Sequence, residues 1–203
     1  MPDIKHFDPD SALERAERLF WQHGAAKASI QEVTVATGLS RSSLYATFGG
    51  KRELYLAALR RYVRHRAWPA QRRLAEDGRG LPAIQEFFSA LIAARCSGEH
   101  AGWGCMLVNA HADADCDDPE IRDLLDAHHR QLRDAMHTAL ETARERGQLP
   151  PGLSVAATAE ALVLLAYGVN VRSRTGVDAD SLLGTVTATL GLFGVASALR
   201  TSS

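Results

Sequence analysis

The chain has 203 residues, of which 46% are apolar and 23% charged, as in a soluble globular protein of one or two compact units. Its net charge of −1 does not by itself suggest a nucleic-acid partner, and three cysteines, an odd number, argue against a disulfide framework. The first residues, MPDIKHFDPD, lack the apolar stretch of a secretory signal peptide, so we expect a cytoplasmic protein.

Four helices are predicted over the first third of the chain, at about 11–24, 30–37, 41–48 and 51–66. Ser29 and Glu32 lie three residues apart at the start of the second helix, in the pattern of a capping box. Gly38 is expected to end that helix, and Ser40 to cap the third. These signals predict two short helices joined by a tight turn.

The rest of the chain is also helical in pattern, and no alternation of polar and apolar residues predicts a strand. Trp68-Pro69 is expected to break the fourth helix. Further helices are predicted at about 82–97, 103–114, 118–147, 154–173 and 179–199. Two apolar runs, 155–171 and 184–199, are shorter than the roughly 20 residues of a bilayer span, so we expect buried helices there.

Basic residues are concentrated in one segment. Residues 25–66 contain eight Lys or Arg and two acidic residues, a net charge of +6. Residues 67–203 contain twelve Lys or Arg and seventeen acidic residues, a net charge of −5. This asymmetry is typical of a nucleic-acid-binding module joined to a second module. A basic surface that is merely solvated is the alternative.

The segment TGLSRSSLYATFGGK combines a polar first turn with apolar residues four positions apart. Leu44 and Phe48 are expected to pack this short helix onto its neighbours, which leaves Arg41, Ser42 and Ser43 facing outward. Two short helices joined by a tight glycine turn form a helix-turn-helix, whose second helix enters the DNA major groove. Arginine can contact guanine with two hydrogen bonds, and small hydroxyls can reach base edges or phosphates.

Groups suited to the phosphate backbone flank this helix. The amides at the helix capped by Ser29, and those at Gly50 and Lys51, suit phosphate oxygens, while Tyr45 and Thr47 supply hydroxyls. The predicted DNA-binding residues are Ser29, Ser40, Arg41, Ser42, Ser43, Tyr45, Thr47, Gly50 and Lys51.

Residues 19–59 resemble the DNA-binding domain of the tetracycline-repressor (TetR) family of bacterial regulators. The resemblance lies in the Ser-Ile, Gly-Leu-Ser, Leu-Tyr-x-x-Phe and Lys-x-x-Leu patterns and their spacing. Two positions depart from the family pattern. Thr47 stands where many members carry His or Tyr, and Thr34-Val35 replaces the commoner Ile-Ala.

The resemblance implies an all-α fold with an N-terminal three-helix helix-turn-helix domain and a C-terminal helical bundle for ligand binding and dimerisation. We predict boundaries at 1–50 for the first domain, 51–68 for a connecting helix and 69–203 for the second domain. The implied function is that of a homodimeric regulator, commonly a repressor, which binds a palindromic double-stranded DNA operator and is released by a small-molecule effector. Activation stays open.

The last predicted helix fits such a dimer independently. Gly184, Gly191 and Gly194 lie among large apolar residues, and small residues let helices approach closely. The apolar run 155–171 would be its partner in a four-helix interface. The alternative is that both helices form the core of a monomer.

The family's C-terminal domain usually holds a small-molecule pocket. The segment GWGCMLVNAHAD resembles a Gly-Cys-x-x-x-Asn segment found in one branch of the family. The predicted ligand-binding residues are Phe88, Trp103, Cys105, Met106, Asn109 and Tyr167. Each of them could instead belong only to the core.

Cys105 supports an alternative, a regulator that senses oxidants or electrophiles through this cysteine. Its thiolate would need a nearby cation, for which Arg95 and Arg172 are the candidates. An inert, buried cysteine is the competing interpretation.

Other chemistry has weaker support. The acidic segment 111–118 could coordinate a cation, but Asp118 is explained as a helix cap, so neither a metal site nor a cofactor is predicted. The sequence lacks GxSxG, HExxH and phosphate-binding glycine motifs, and no enzyme is predicted. A helical-bundle enzyme or small-molecule carrier with a vestigial DNA-binding domain is the alternative from a different class.

Overall fold

The computed structural model describes residues 8–112 and 118–192, and within these ranges its regular elements are all helical, which confirms the all-α prediction. The helices are α1 (Pro9–His23), α2 (Ile30–Thr37), α3 (Arg41–Phe48), α4 (Lys51–Tyr62), a π-helical segment (Val63–Ala67), α5 (Trp68–Glu76), α6 (Leu81–Cys96), α7 (Met106–Ala112), α8 (Pro119–Glu145), α9 (Val155–Ser173) and α10 (Ala179–Leu192). Residues 193–199 of the last predicted helix, Gly194 among them, lie outside the described residues.

Local capping determines where the short N-terminal helices begin and end. The Ser29 hydroxyl accepts from the Glu32 amide at 3.2 Å, and the Glu32 carboxylate accepts from the Ser29 amide at 2.7 Å, so the predicted capping box is confirmed. Gly38 ends α2 in the left-handed conformation, with φ of 73°. The predicted start of α1 at Ser11 is wrong. Asp8 caps the helix, which begins at Pro9.

One apolar core holds α1 to α4 together. Leu44 is fully buried among residues that include Phe20, Val33 and Leu39, and Phe48 packs against this cluster while partly buried. Phe20 also meets Tyr55 edge-on, with ring centroids 5.2 Å apart. The back of α3 is therefore fixed as its sequence pattern predicts.

The predicted break at Trp68-Pro69 is wrong. The chain stays helical from Lys51 to Glu76, and α5 is a helix that the sequence pattern did not predict. In the π-helical segment the Trp68 amide donates to the carbonyl of Val63, five residues back, which widens the turn. Pro69 then follows directly in the first turn of α5, and the wider π turn before it accommodates its ring and its missing N–H.

A second core lies in the C-terminal part, where α8 packs on α5, α6 and α9, and α10 packs on α6. Asp118 caps α8 as expected, accepting from the Glu120 amide at 3.0 Å. By length and composition α9 could cross a membrane, but it packs against α6, α7 and α8 in this fold. Core helices of soluble proteins pass the same test, so this helix is weak support for a membrane protein.

An ionic cluster joins α1 to α4 and the π-helical segment. The fully buried carboxylate of Glu17 accepts from Arg61 at 2.8 Å and from Arg66 at 3.2 Å, and Arg61 also reaches Glu14 at 3.2 Å. A buried carboxylate is tolerated only when it is paired in this way.

Trp21 connects α1 to the segment before α7. Its indole N–H donates to the carbonyl of Gly104 at 3.0 Å, and its ring meets Trp103 edge-on at 5.3 Å. Gly104 has φ of +67°, and a Cβ there would lie 2.8 Å from Arg174 Cγ and 2.9 Å from the carbonyl of Asn170. Only glycine fits both this conformation and this space.

A buried polar pair joins α5 to α8. Gln71 Nε2 and His128 Nδ1 lie 2.9 Å apart, and both side chains are buried. Burial, followed by the nearby His111 and His129, lowers the pKa of His128 to about 4, so the folded protein holds this imidazole neutral near neutral pH.

We predict that Glu17→Gln destabilises the protein by about 2–3 kcal/mol, because Arg61 and Arg66 lose their buried counter-charge while both still reach solvent. Urea unfolding followed by circular dichroism measures this. Arg72→Gln is the matched control, since Arg72 pairs with Glu76 on an exposed surface, and its unfolding midpoint should not move. Equal midpoints for both variants would contradict an anchoring role for Glu17.

We also predict that stability falls as pH decreases from about 6.5 to 4. The unfolded chain binds a proton at His128 near its ordinary pKa of 6.5, whereas the folded chain does so only near 4. His128→Gln should therefore reduce the loss of unfolding free energy over this range by about 3 kcal/mol. Urea unfolding at a series of pH values measures it, with the exposed His23→Gln as control. The same pH dependence in both variants would rule out this role of His128.

Candidate nucleic-acid interface and interior cavity

The exposed first turn of α3 is the candidate interface. Arg41, Ser42 and Ser43 are all exposed, while Leu44 beside them is fully buried. Arg41 forms no ion pair with any acid in residues 8–112 and 118–192, so its guanidinium is available to an outside partner.

Hydroxyls cluster at the same turn. Ser40 Oγ accepts from the Ser43 amide at 3.1 Å, and it lies 3.0 Å from Ser42 Oγ and 2.8 Å from Ser43 Oγ. Ser40 is thus the cap of α3, and its hydroxyl is already engaged. Three hydroxyls next to an arginine at a helix N-terminus can receive phosphate oxygens or base edges.

The other predicted DNA-binding residues lie on both sides of α3. Ser29 and Thr47 are exposed, and Tyr45 is 53% exposed, which is high for an aromatic residue. Gly50 is buried at the start of α4, where it brings no side chain in front of the helix amides, and Lys51 follows it partly exposed. The prediction that these groups contact DNA stays a prediction.

Sequence reasoning passed over two exposed residues near this surface. Val35 of α2 is 77% exposed, and Lys27, in the turn before α2, has no acidic partner in the described part of the chain. Val35 could have been recognised from the sequence. It is an apolar residue in place of the usual alanine, at a helix position that does not share the buried face of Val33 and Thr37.

Half of the basic charge in 25–66 serves the fold itself. Four of the eight basic residues pair with acids, mostly at distant sequence positions: Arg52, Arg60, Arg61 and Arg66. Within the described residues, the four without an acidic partner are Lys27, Arg41, Lys51 and Arg64. The net charge of the segment therefore overstates the positive charge that it offers to DNA.

Arg52 connects α4 to the start of α8. Its Nη2 donates to Asp118 at 2.9 Å and to Glu120 at 2.9 Å, and Arg60 reaches Glu120 at 3.3 Å. These bonds hold the pKa of Asp118 below its ordinary value. The N-terminal helices are thus attached to α8 by charge as well as by packing.

A small interior cavity of about 70 Å³ lies where α4, α5, α6, α7, α8 and α9 meet. Cys105 and Tyr167, two of the predicted ligand-binding residues, line it. The other four are placed elsewhere. Phe88 is fully buried in the C-terminal core, Met106 is buried in the N-terminal core, and Trp103 packs on Trp21.

Asn109, the remaining member of the predicted set, donates from its amide to the carbonyl of Trp103 at 2.9 Å. The structure therefore brings Cys105 and Tyr167 together and assigns Asn109 to the support of the neighbouring loop. Sequence reasoning missed Arg95, Gln71 and His128 as cavity residues.

Polar groups of the cavity wall are incompletely bonded. Arg95 donates from Nε to Asn170 Oδ1 at 2.6 Å and from Nη2 to Tyr62 Oη at 3.2 Å. Gln71 Oε1 and Tyr167 Oη are buried without a hydrogen-bond partner. Burial raises the pKa of Tyr167 to about 12, so its hydroxyl keeps its proton.

A larger groove of about 490 Å³ between α5 and α6 adjoins the cavity. Arg66, Phe87, Leu91 and Arg95 line both spaces, so the groove and the cavity share a wall. Arg73 and Arg79 add positive charge to its wall, which Asp77 and Glu86 partly offset.

The acidic segment 111–118 lies largely outside the described residues, since 113–117, including Cys116, are not among them. In residues 8–112 and 118–192, no three His, Cys, Asp or Glu side chains are grouped so as to hold a metal ion.

Comparisons with known proteins agree with this geometry. Residues 12–58 match the family described as bacterial regulatory proteins of the tetR family, and residues 80–188 match the tetracyclin repressor-like C-terminal domain. The chain is 30% identical over 191 residues to the HTH-type transcriptional repressor ComR of Escherichia coli strain K12, covering 93% of this chain and 90% of ComR.

It is also 31% identical over 145 residues to the uncharacterized HTH-type transcriptional regulator YezE of Bacillus subtilis strain 168, covering 71% of this chain and 74% of YezE. Among solved structures, a cysteine-substituted variant of the TetR family regulator CifR, in complex with 26-bp double-strand operator DNA, aligns with a TM-score of 0.83. The identity is 25%, and 93% of this chain and 98% of that chain are covered. These matches span both parts of the fold, and the chain belongs to the tetracycline-repressor family of bacterial transcriptional regulators.

Proposed function

We propose that the protein is a cytoplasmic, homodimeric transcriptional repressor that binds a palindromic DNA operator and is released by a small molecule. The observation that carries this proposal is the exposed turn of Arg41, Ser42 and Ser43 on a helix that Leu44 fixes from behind. The relation to the repressor ComR and to the operator-bound CifR structure supports both repression and DNA binding.

The residues of the interface divide into two roles. Arg41, Ser42 and Ser43 read base edges in the major groove. The phosphate contacts are made by Ser29, Tyr45, Thr47, Gly50 and Lys51, while Ser40 caps the helix that carries the base contacts. Lys51 carries the positive charge of this second group, and it stands at the N-terminus of α4, whose amides also attract phosphate.

An effector in the cavity would act on α3 through α4. Tyr62, at the end of α4, lines the cavity, and α4 carries α3 at its other end. A shift of Tyr62 also disturbs Trp21, whose ring meets Tyr62 edge-on at 5.0 Å. A ligand that prefers one position of α4 therefore changes the orientation of α3 relative to its partner copy.

Dimerisation would use the outer faces of α9 and α10. On α9, Leu164 is 60% exposed, Val171 is 49% exposed, and Gly168 has open space beside it. On α10, Gly184 is similarly open and Leu192 is 83% exposed. Exposed apolar residues on helices that carry open glycines suit close packing against a second copy of the chain.

The position of Cys105 favours a second candidate, release through modification of this cysteine. Cys105 lines the cavity, and Tyr62 and Arg95 are its charged or polar neighbours. A cation beside a thiol is typical of reactive cysteines, although Cys105 itself is only 5% exposed. Arg95, rather than the exposed Arg172, is the neighbouring cation.

We predict that Arg41→Ala weakens operator binding by about 1–3 kcal/mol and relaxes the sequence preference, because a base contact is lost. Lys51→Ala should weaken binding to operator and scrambled DNA alike and lower the salt slope by about 1, because one phosphate contact is lost. Fluorescence anisotropy with both DNAs over a range of salt concentrations measures the two effects. Equal losses on both DNAs for both variants would contradict this division of roles.

We predict that Leu164→Glu converts the dimer to a monomer at micromolar concentration, since it buries a charge in an apolar interface. Sedimentation velocity measures the change, and Gln131→Glu on the exposed face of α8 is the control. A monomeric wild-type protein, or a Leu164→Glu variant as dimeric as the control, would contradict the proposed interface.

A further inference from the structure

We propose that the interior cavity binds a small carboxylate that also carries a hydroxyl group, a short hydroxy acid. The inference rests on the proposed function, because it names the chemical class of the effector that would release the operator. Three features of the cavity lead to it: an arginine with neutral partners, an unpartnered buried amide oxygen, and the size of the space.

Arg95 supplies the charge. Its guanidinium bonds to Asn170 and to the hydroxyl of Tyr62, both neutral, and it lies 5.9 Å from the centre of the Trp21 ring. It forms no ion pair with a carboxylate in the described ranges 8–112 and 118–192. Removing a cation from water is costly without a counter-ion, so the cavity favours an anion beside Arg95.

The groove next to the cavity favours the same charge. Arg66, Arg73 and Arg79 line this groove together with Arg95. Of these, Arg66 is paired with Glu17 and Arg79 with Asp77, which leaves Arg73 and Arg95 without a described acidic partner. Such a groove raises the local concentration of anions at its mouth.

Gln71 has a buried side-chain oxygen that lacks a hydrogen-bond donor. Its side chain is buried, with only 4% of the residue exposed, and one end of its amide is used by His128. Gln71 lines the cavity, and the other end of its amide, Oε1, has no hydrogen-bond partner; a buried acceptor left in this state costs free energy. A ligand hydroxyl satisfies it, and the unpartnered Tyr167 hydroxyl can donate to the same ligand.

The space limits the size of the ligand. A volume of about 70 Å³, about half that of a cavity able to bind benzene, restricts the ligand to a few non-hydrogen atoms. Leu91, Leu132 and Ala166 form an apolar part of the wall, which suits the carbon skeleton. A ligand that has a carboxylate, one hydroxyl and a short carbon chain therefore matches the arginine, the amide oxygen and the apolar wall of the cavity.

Binding at Arg95 would reach the DNA-binding helices directly. Arg95 holds the hydroxyl of Tyr62, and Tyr62 and Arg95 both neighbour Trp21 of α1. A carboxylate competes with Tyr62 for the Arg95 guanidinium, which loosens the bond between α6 and the end of α4.

The test uses three probes of nearly equal size on the full-length protein. Lactate has both groups, propionate lacks the hydroxyl, and lactamide lacks the charge. Isothermal titration calorimetry should show lactate binding, propionate binding about tenfold more weakly, and lactamide binding at least a hundredfold more weakly. Lactate, but not lactamide, should also release the operator in an anisotropy assay.

Four variants, two of them controls, test the contacts. Arg95→Gln should lower lactate affinity at least a hundredfold, whereas Arg144→Gln, on the exposed surface of α8 and paired with Glu141, should leave it within about twofold. Gln71→Leu should abolish the preference for lactate over propionate, a ratio that is read on folded protein only. Should Arg95→Gln fail to fold, the ratio in Gln71→Leu decides the matter. Cys105→Ser should retain lactate binding.

The outcomes separate this inference from the proposed function. Operator binding with no lactate binding, or lactamide binding as tightly as lactate, overturns the inference and leaves the proposed function intact. Lactate affinity unchanged by Arg95→Gln, or an unchanged lactate preference in Gln71→Leu, also overturns it. Lactate binding with the expected variant effects in a protein that binds no DNA supports the cavity's ligand class and overturns the proposed function.

Discussion

The rest of the structure depends on one buried carboxylate, that of Glu17, held between Arg61 and Arg66. With no exposure to water, this charge can exist only while α1 lies against the junction of α4 and the π-helical segment. The same junction places Trp21 under Gly104 and Tyr62 beside the cavity. The orientation of α3 relative to the C-terminal helices therefore depends on this ionic cluster and the aromatic packing around it, together with the contacts of Arg52 to Asp118 and Glu120.

The cavity next to this junction differs from it in how completely its polar groups are bonded. Around Glu17 the charges are paired, whereas Arg95, Gln71 and Tyr167 keep unused bonding capacity. Fully bonded polar clusters rigidify a fold, and incompletely bonded ones mark places where a further molecule can be accommodated. The ion-paired junction at Glu17 and the incompletely bonded cavity thus share the residues at the end of α4. A ligand bound in the cavity can therefore affect the junction.

Local features of the fold could be predicted from the sequence, and long-range ones could not. Ser29 with Glu32, and Gly38, act within a few residues, so the two short helices were predicted correctly. Pro69 normally breaks a helix, and only the preceding π turn, which has no sequence signature, allows α5 to continue. Residue type did not tell cavity from core, so Phe88 and Met106 were proposed for the pocket, Gln71 was passed over, and Arg95 was named only as a cation for Cys105.

The π turn at Val63–Ala67 determines how α5 is rotated relative to α4 about the axis of the continuous helix. Each residue added to an α-helix turns everything beyond it by about 100° around the axis. The extra residue of the wide turn thus sets the phase of α5 against α4, which is why Gln71 and Leu74 point inward while Arg61 faces α1. Deleting one residue from the turn would leave the sequence of α5 unchanged and yet rotate Gln71 by about 100° away from the cavity. The groups that the cavity offers to a ligand therefore depend on the length of the π turn as well as on the residue types of α5.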